Sequence, residues 1–135
     1  MDECIFCKII KGDIPCSKVY EGSKVFAFLD NAPVNKGHTL VVPKEHYKDL
    51  LAMPNDVLCE VIKVVKKISK AVVRTVKADG FNIGKNNGAA AGQAVMHSHF
   101  HIIPRFEGDG LNAWPHGEYE EGEENRVAED IKSLL

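Results

Sequence analysis

The stretch Met96-His97-Ser98-His99-Phe100-His101-Ile102-Ile103-Pro104-Arg105 constrains this chain more than any other. Three of the six histidines fall in it, at every second position. In an extended strand alternate side chains share a face, so His97, His99 and His101 line one side while Phe100 and Ile102 enter a core on the other. Each imidazole needs partners for two nitrogens. The ring is also the side chain best suited to nucleophilic, acid–base or metal chemistry near neutral pH. The plain alternative is the polar face of an edge strand. Strict alternation, directly after the small-residue loop Lys85 to Gln93, argues for chemistry instead.

The 135 residues suffice for one domain, 1–135, with a real core. A formal charge of −2 gives no electrostatic case for binding DNA or RNA. No apolar run approaches a membrane span. The start, Met1-Asp2-Glu3-Cys4, lacks the basic and apolar regions of a signal peptide, so a cytoplasmic protein with reduced thiols is expected. Cys16 and Cys59 are isolated; Cys59 falls within an apolar helical pattern and reads as core.

Apolar spacing predicts a short helix over 5–11, stopped by Gly12 and Pro15. Val19-Tyr20 and Lys24 to Leu29 read as a hairpin, and His38 to Val42 as a third strand ended by Pro43. A short helical segment is expected over His46 to Ala52. A long helix follows from Asp56 to Lys77, with Asn55 as candidate N-cap. Its basic stripe, Lys63, Lys66, Lys67, Lys70 and Arg74, reads as a solvated face. Phe81 to Gly84 is a fourth strand and the histidine stretch a fifth. A last short helix carries Val127, Ile131 and Leu134. The fold class is therefore α+β: a five-stranded, mostly antiparallel sheet with one long helix and smaller ones.

The histidine stretch has two chemical readings. Three imidazoles could bind zinc and activate water. Alternatively one attacks phosphorus while its neighbours bind the phosphate. Same-face neighbours on a strand lie about 7 Å apart at Cα. Two such rings can reach one small group, but three on one metal is hard, which favours dividing the labour. Cys4-x-x-Cys7 could be an inert pair, a redox dithiol or half of a metal site. The βαβ context of a redox dithiol is missing, and zinc wants four ligands, for which His46 and His97 are candidates. In the small-residue loop, the Asn86 and Gln93 amides and the backbone N–H groups of Gly92, Gln93 and Ala94 can meet negative charge over His99.

His97-Ser98-His99-Phe100-His101-Ile102-Ile103 resembles the signature of the histidine triad (HIT) superfamily, His-φ-His-φ-His-φ-φ. Cys4 to Ile10, Ala27-Phe28-Leu29-Asp30, Gly37 to Lys44 with His46, and Gly92 to Arg105 resemble the nucleotide-binding HIT hydrolases of bacteria and archaea and their Hint relatives. The resemblance covers residues 4–105, with 106–135 a C-terminal extension.

The resemblance implies a two-step transfer on purine nucleoside 5′-phosphate derivatives: phosphoramidates, adenylates or dinucleoside polyphosphates. His99 matches the nucleophile, His101 the ring that contacts phosphate, and His38 a supporting catalytic histidine. Asn86, Gly92 and Gln93 match phosphate-binding positions. Asp30 matches the carboxylate that takes the ribose hydroxyls, and Phe6, Ile9 and Phe28 the apolar slot around the base. It also implies a homodimer, a structural zinc on Cys4, Cys7, His46 and His97, and no catalytic metal. Ser98 departs from the motif on the side facing away from the site. Ala94 stands where relatives carry a hydroxyl near the leaving group, which weakens the case for phosphoramidate cleavage. Asn31 is polar beside the base, which implies loose base preference. The rival readings are a zinc-stabilised nucleotide-binding module with little turnover, and a metal-dependent hydrolase using the histidine row.

Overall fold

The computed structural model describes residues 3–112 and 114–135; Met1 and Asp2, part of the N-terminal reading above, lie outside the described residues. Helix α1 covers Ile5–Lys11, strands β1 Lys18–Glu21, β2 Val25–Leu29 and β3 Thr39–Pro43, helix α2 Asn55–Val76, strands β4 Gly80–Lys85 and β5 Phe100–Arg105, and helix α3 Glu123–Ser133. The five strands form one sheet in the order β1-β2-β3-β5-β4, and every pairing is antiparallel. The architecture is the expected α+β sheet with one long helix.

Alternation sorts the sheet into two faces. Val25, Ala27, Val41, Phe100 and Ile102 join the α2 stripe of Val57, Val61, Val64, Val65, Ile68 and Val72 in one core. Phe26, Phe28, Leu40 and Val42 join Phe6 and Ile9 of α1 in a second, smaller one. Register carries that second face across the sheet: Phe28 pairs with Leu40, Leu40 with His101, and His101 with Gly84. The ring of His101 therefore projects on the side of α1.

Helix α1 is seven residues long and is held at both ends. Cys4 is its N-cap, its Sγ accepting from the Cys7 N–H at 3.3 Å. Gly12 closes it at φ 89°, with its N–H on Ile9 and that of Asp13 on Lys8. Gly37, at φ 102°, turns the chain into β3, where a Cβ would lie 3.0 Å from Val76 Cγ1.

Four expectations need correction. The histidine strand begins at Phe100, so His97 and His99 precede it. The cause is Pro43, which has no N–H for a ladder and whose carbonyl accepts from His97 Nε2 at 2.8 Å, while the Ser98 N–H donates to Tyr47 O. Residues 46–52 form bends and turns, not a helix; Asp49 Oδ1 caps the Ala52 N–H there, and Asn87 Oδ1 accepts from the Leu50 N–H. Asn55 is the first helical residue, with Pro54 as N-cap and no side-chain cap bond. Cys59 is exposed: two residues past Val57, it lies about 200° around the helix from the buried stripe. The apolar residues of α3 stay outside too, with Val127, Ile131 and Leu134 exposed.

Candidate active site and candidate metal centre

Phe6 and Ile9 from α1, Phe28 from β2, Leu40 from β3 and the loop 94–99 enclose a cavity of about 840 Å³. Asp30, Asn31, Ala94, His99 and His101 line it as well. Phe6 stands edge-on to Phe28, with centroids 5.4 Å apart, and edge-on to His99 at 5.0 Å. One end of the cavity is thus an apolar slot and the other an imidazole floor. Eight of the eleven sequence-predicted binding residues line it. Asn86, Gly92 and Gln93 are not among the lining residues. Gln93 is buried, and its amide is spent inside the protein. Oε1 accepts from Gly88 N–H at 2.8 Å, and Nε2 donates to Lys48 O and Val95 O. That corrects the idea that the Gln93 amide is offered to a phosphate: it staples the loop that carries Ala94. Asn86 Nδ2 donates to Gly92 O at 3.4 Å. Leu40 went unnoticed in the sequence, although alternation from His38 places it on the same face. Pro15, Cys16 and Ser17 also line the cavity and carry no motif.

The hydrogen bonds fix the tautomers. His99 Nδ1 lies 2.7 Å from the carbonyl of His97, an acceptor only, so Nδ1 carries the proton and Nε2 the lone pair. No buried polar side-chain atom among the described residues lacks a partner, and no other hydrogen bond reaches this ring, so Nε2 opens to the cavity. His38 Nδ1 accepts from the Val34 N–H at 3.1 Å, which puts the His38 proton on Nε2. That N–H donates to His101 Nδ1 at 2.9 Å, leaving His101 Nε2–H as a donor. Asp30 Oδ2 is 3.7 Å from His38 Nε2, and Oδ1 caps the Ala32 N–H.

Burial keeps all three rings neutral. It pushes His101 down to about 4, helped by the neighbouring His99 and His38. It also lowers His99 and His38, against the opposing pull of Asp30 on each. Because the folded values lie below the ordinary 6.5, the unfolded chain binds more protons as the pH drops. Stability conferred by these histidines is present above about 6.5 and lost as pH falls below it, for His101 through the window down to about 4. Unfolding free energies from urea titrations are expected to hold flat from pH 8 to 7. They then decline below pH 6.5, with the His101 contribution falling by up to about 1.4 kcal/mol per pH unit. A flat profile across that window would contradict burial of neutral rings.

Cys4, Cys7, His46 and His97 present one ligand atom each within 4.8 Å of one another. His97 Nδ1 is 3.4 Å from Cys4 Sγ and 3.5 Å from Cys7 Sγ, and His46 Nδ1 is 3.5 Å from Cys7 Sγ. Two ligands on tetrahedral zinc, at about 2.3 Å for sulfur and 2.05 Å for nitrogen, stand about 3.6 Å apart, so the set fits such an ion. The bond from His97 Nε2 to Pro43 O aims the Nδ1 lone pair at the sulfurs and supplies the outer partner that metal-bound imidazoles use. Burial, then Cys4, pushes the Cys7 thiol up to about 11, so a thiolate pair here calls for a cation to share. Asp30, His38 and His101 also cluster. There the two rings already meet in a direct N–H···N bond, which accounts for their approach.

The HIT domain family model matches residues 11–108. An uncharacterised HIT-like protein of Methanocaldococcus jannaschii is 54% identical over 129 residues, 96% of this chain and 98% of that protein. An adenosine 5′-monophosphoramidase of Schizosaccharomyces pombe is 43% identical over 134 residues, covering 98% of each. An adenylylsulfatase of Arabidopsis thaliana is 46% identical over 110 residues, 82% of this chain and 56% of its own length. Among solved structures, a HIT family protein from Bacillus anthracis superposes with TM-score 0.90 at 44% identity, covering 99% of this chain and 98% of that one. A zinc-bound histidine triad family protein from Mycobacterium smegmatis does so at 0.78 and 35% identity, covering 99% of each. With its three imidazoles in the family's order and its fold shared with these structures, the chain belongs to the HIT domain family.

Proposed function

We propose that this protein hydrolyses purine nucleoside 5′-phosphate derivatives at the α-phosphate through a nucleotidyl-histidine on His99. The observation that carries this reading is the state of His99: a neutral ring whose Nδ1–H is tied to the His97 carbonyl and whose Nε2 opens into a slot of nucleoside size. In the first step the Nε2 lone pair forms a bond to phosphorus, and the leaving group departs with the bonding pair as an anion, which solvent water protonates where it is basic. The imidazolium that results keeps its Nδ1–H on the His97 carbonyl. In the second step water attacks phosphorus, the N–P bond breaks, its electron pair returns to Nε2, and the water proton goes to solvent. His101 Nε2–H donates to a phosphate oxygen as charge develops. Phe6, Ile9 and Phe28 sandwich the base, and Asp30 accepts from the ribose hydroxyls. Ala94 offers no hydroxyl to a leaving group, so groups stable as anions, such as sulfate or a nucleotide, are favoured over amines.

Zinc is the metal that suits the Cys4, Cys7, His46, His97 set, and held there it is structural, pinning α1 to the loop that carries His99. The same reading includes a cytoplasmic homodimer that joins α2 and the edge strand β4, where Ile62, Phe81 and Ile83 are exposed. The direct test is to mix the protein with labelled adenylates, quench at neutral or alkaline pH and look for an acid-labile nucleotide on the peptide containing His99 by mass spectrometry. A labelled His99 peptide is expected. Turnover without any protein-bound nucleotide would sink the mechanism, and binding without turnover across the panel would favour a binding module.

A further inference from the structure

We infer that Asn35 and Asp109 are positioning residues that set which nitrogens of the His38–His101 pair carry protons. The chain of contacts is continuous. Asp109, at the turn after β5, takes Arg105 Nε at 2.8 Å and Nη2 at 2.9 Å, together with the N–H groups of Phe106 and Leu111. Its Oδ2 also accepts from Asn35 Nδ2 at 3.2 Å, and the same amide donates to Pro104 O at 2.9 Å. Both amide hydrogens of Asn35 are thus used on acceptors anchored at the end of β5, which fixes the turn preceding β3. The Asn35 carbonyl accepts from the His38 N–H at 3.0 Å, and the N–H of its neighbour Val34 fills the lone pair of His38 Nδ1 at 3.1 Å.

That last bond selects the tautomer. With Nδ1 occupied as an acceptor, His38 holds its proton on Nε2 and gives it to His101 Nδ1, so His101 Nε2 is a donor. If the 34–38 turn slips and the Val34 N–H withdraws, His38 is free to carry its proton on Nδ1. Nε2 then becomes an acceptor, His101 donates from Nδ1, and His101 Nε2 turns from donor to acceptor. A donor becomes a lone pair facing a phosphate oxygen. Asp30 does not hold the tautomer by itself, since its Oδ2 is 3.7 Å from His38 Nε2, beyond hydrogen-bond range.

The kinetic part of this inference rests on the hydrolase reading; the spectroscopic part does not. Long-range 1H–15N spectra of the full chain at pH 7.5 report the tautomer of each histidine. In the wild type, His38 is expected with an unprotonated Nδ1 and a protonated Nε2. In Asn35→Ala and Asp109→Ala a second His38 form with protonated Nδ1 is expected. In Asn35→Asp, which keeps the size but sets two carboxylates against each other, that form is expected to be larger still. Where turnover is measured, kcat falls about tenfold while KM stays within about twofold, the signature of a contact made in the transition state. The double variant Asn35→Ala/Asp109→Ala is expected to be no worse than the worse single, because both act through one path. Should Asp109→Ala fail to fold, the two Asn35 variants carry the test. Folded variants with the wild-type His38 tautomer would overturn the proposal, as would effects that simply add. The spectra decide this even if the wild type turns nothing over, so failure of the two readings can be told apart.

Discussion

His99→Ala is expected to lower turnover of nucleoside 5′-phosphate derivatives by about 10⁴-fold or more, while nucleotide affinity changes by less than about tenfold. The split follows from where the ring sits. His99 contributes one edge of the slot, against Phe6 at 5.0 Å. The other walls, Ile9, Phe28 and Leu40, come from separate elements and stay in place. What the variant loses is Nε2, the ring nitrogen that opens to the cavity with its lone pair free. His101 cannot substitute. Its Nδ1 accepts from His38, so its Nε2 carries a proton and has no lone pair with which to attack. Stopped-flow turnover and equilibrium binding of a non-hydrolysable analogue check the prediction together. Turnover within about tenfold of wild type in His99→Ala would end the nucleotidyl-histidine mechanism. Equal losses of binding and turnover would instead make His99 a binding residue.

Much of this site can be read in the sequence, because strand alternation is a strong constraint. Phe100 and Ile102 flank His101 on a two-residue period, and Leu40 falls two residues after His38. Antiparallel pairing of Leu40 with His101 and of Phe28 with Leu40 then brings slot and imidazole to one face. Most of the α2 stripe is legible at helical spacing too, although Ile62, which shares that spacing, is exposed and Val64 is buried. What could not be read is set by backbone groups rather than by residue types. The carbonyls of Pro43 and His97 and the N–H of Val34 choose the tautomers of His97, His99 and His38. None of the three has a side-chain signal. The same cause explains the early end of the ladder at Pro43 and the absence of a helix at 46–52. There, local caps from Asp49 and Asn87 replace helical bonds. Gln93 looked like a ligand because an amide beside glycine suits phosphate. Its burial turned it into a staple, and that depends on Lys48 and Val95 carbonyls that only the fold supplies.

Removal of the metal from the Cys4, Cys7, His46 and His97 set is expected to lower the melting temperature by about 15 °C. The figure takes about 5 kcal/mol, the linkage stabilisation from a ligand at about 5,000 times its Kd, and about 3 °C per kcal/mol at this size. The set ties together three parts of the chain: the short helix α1 through Cys4 and Cys7, the segment after β3 through His46, and the run into β5 through His97. A seven-residue helix is not stable by itself, so its attachment depends on Phe6 and Ile9 in the smaller core and on this set. The purified protein is expected to hold one zinc per chain by elemental analysis, and EDTA or Cys7→Ser to produce the shift. Turnover by protein that remains folded is expected to stay within about tenfold. The ring nitrogens of His97 face the sulfurs and Pro43, and its hydrogen bond to His99 is made by its carbonyl. Loosening of α1 would also open the wall made by Phe6, so the residual loss should fall mainly on KM. An unchanged melting temperature after proven zinc loss would make the four residues an incidental cluster. A loss of turnover above about 10³-fold in folded, metal-free protein, restored by zinc alone, would move the metal to the reacting centre and return the metal-dependent hydrolase as the better reading.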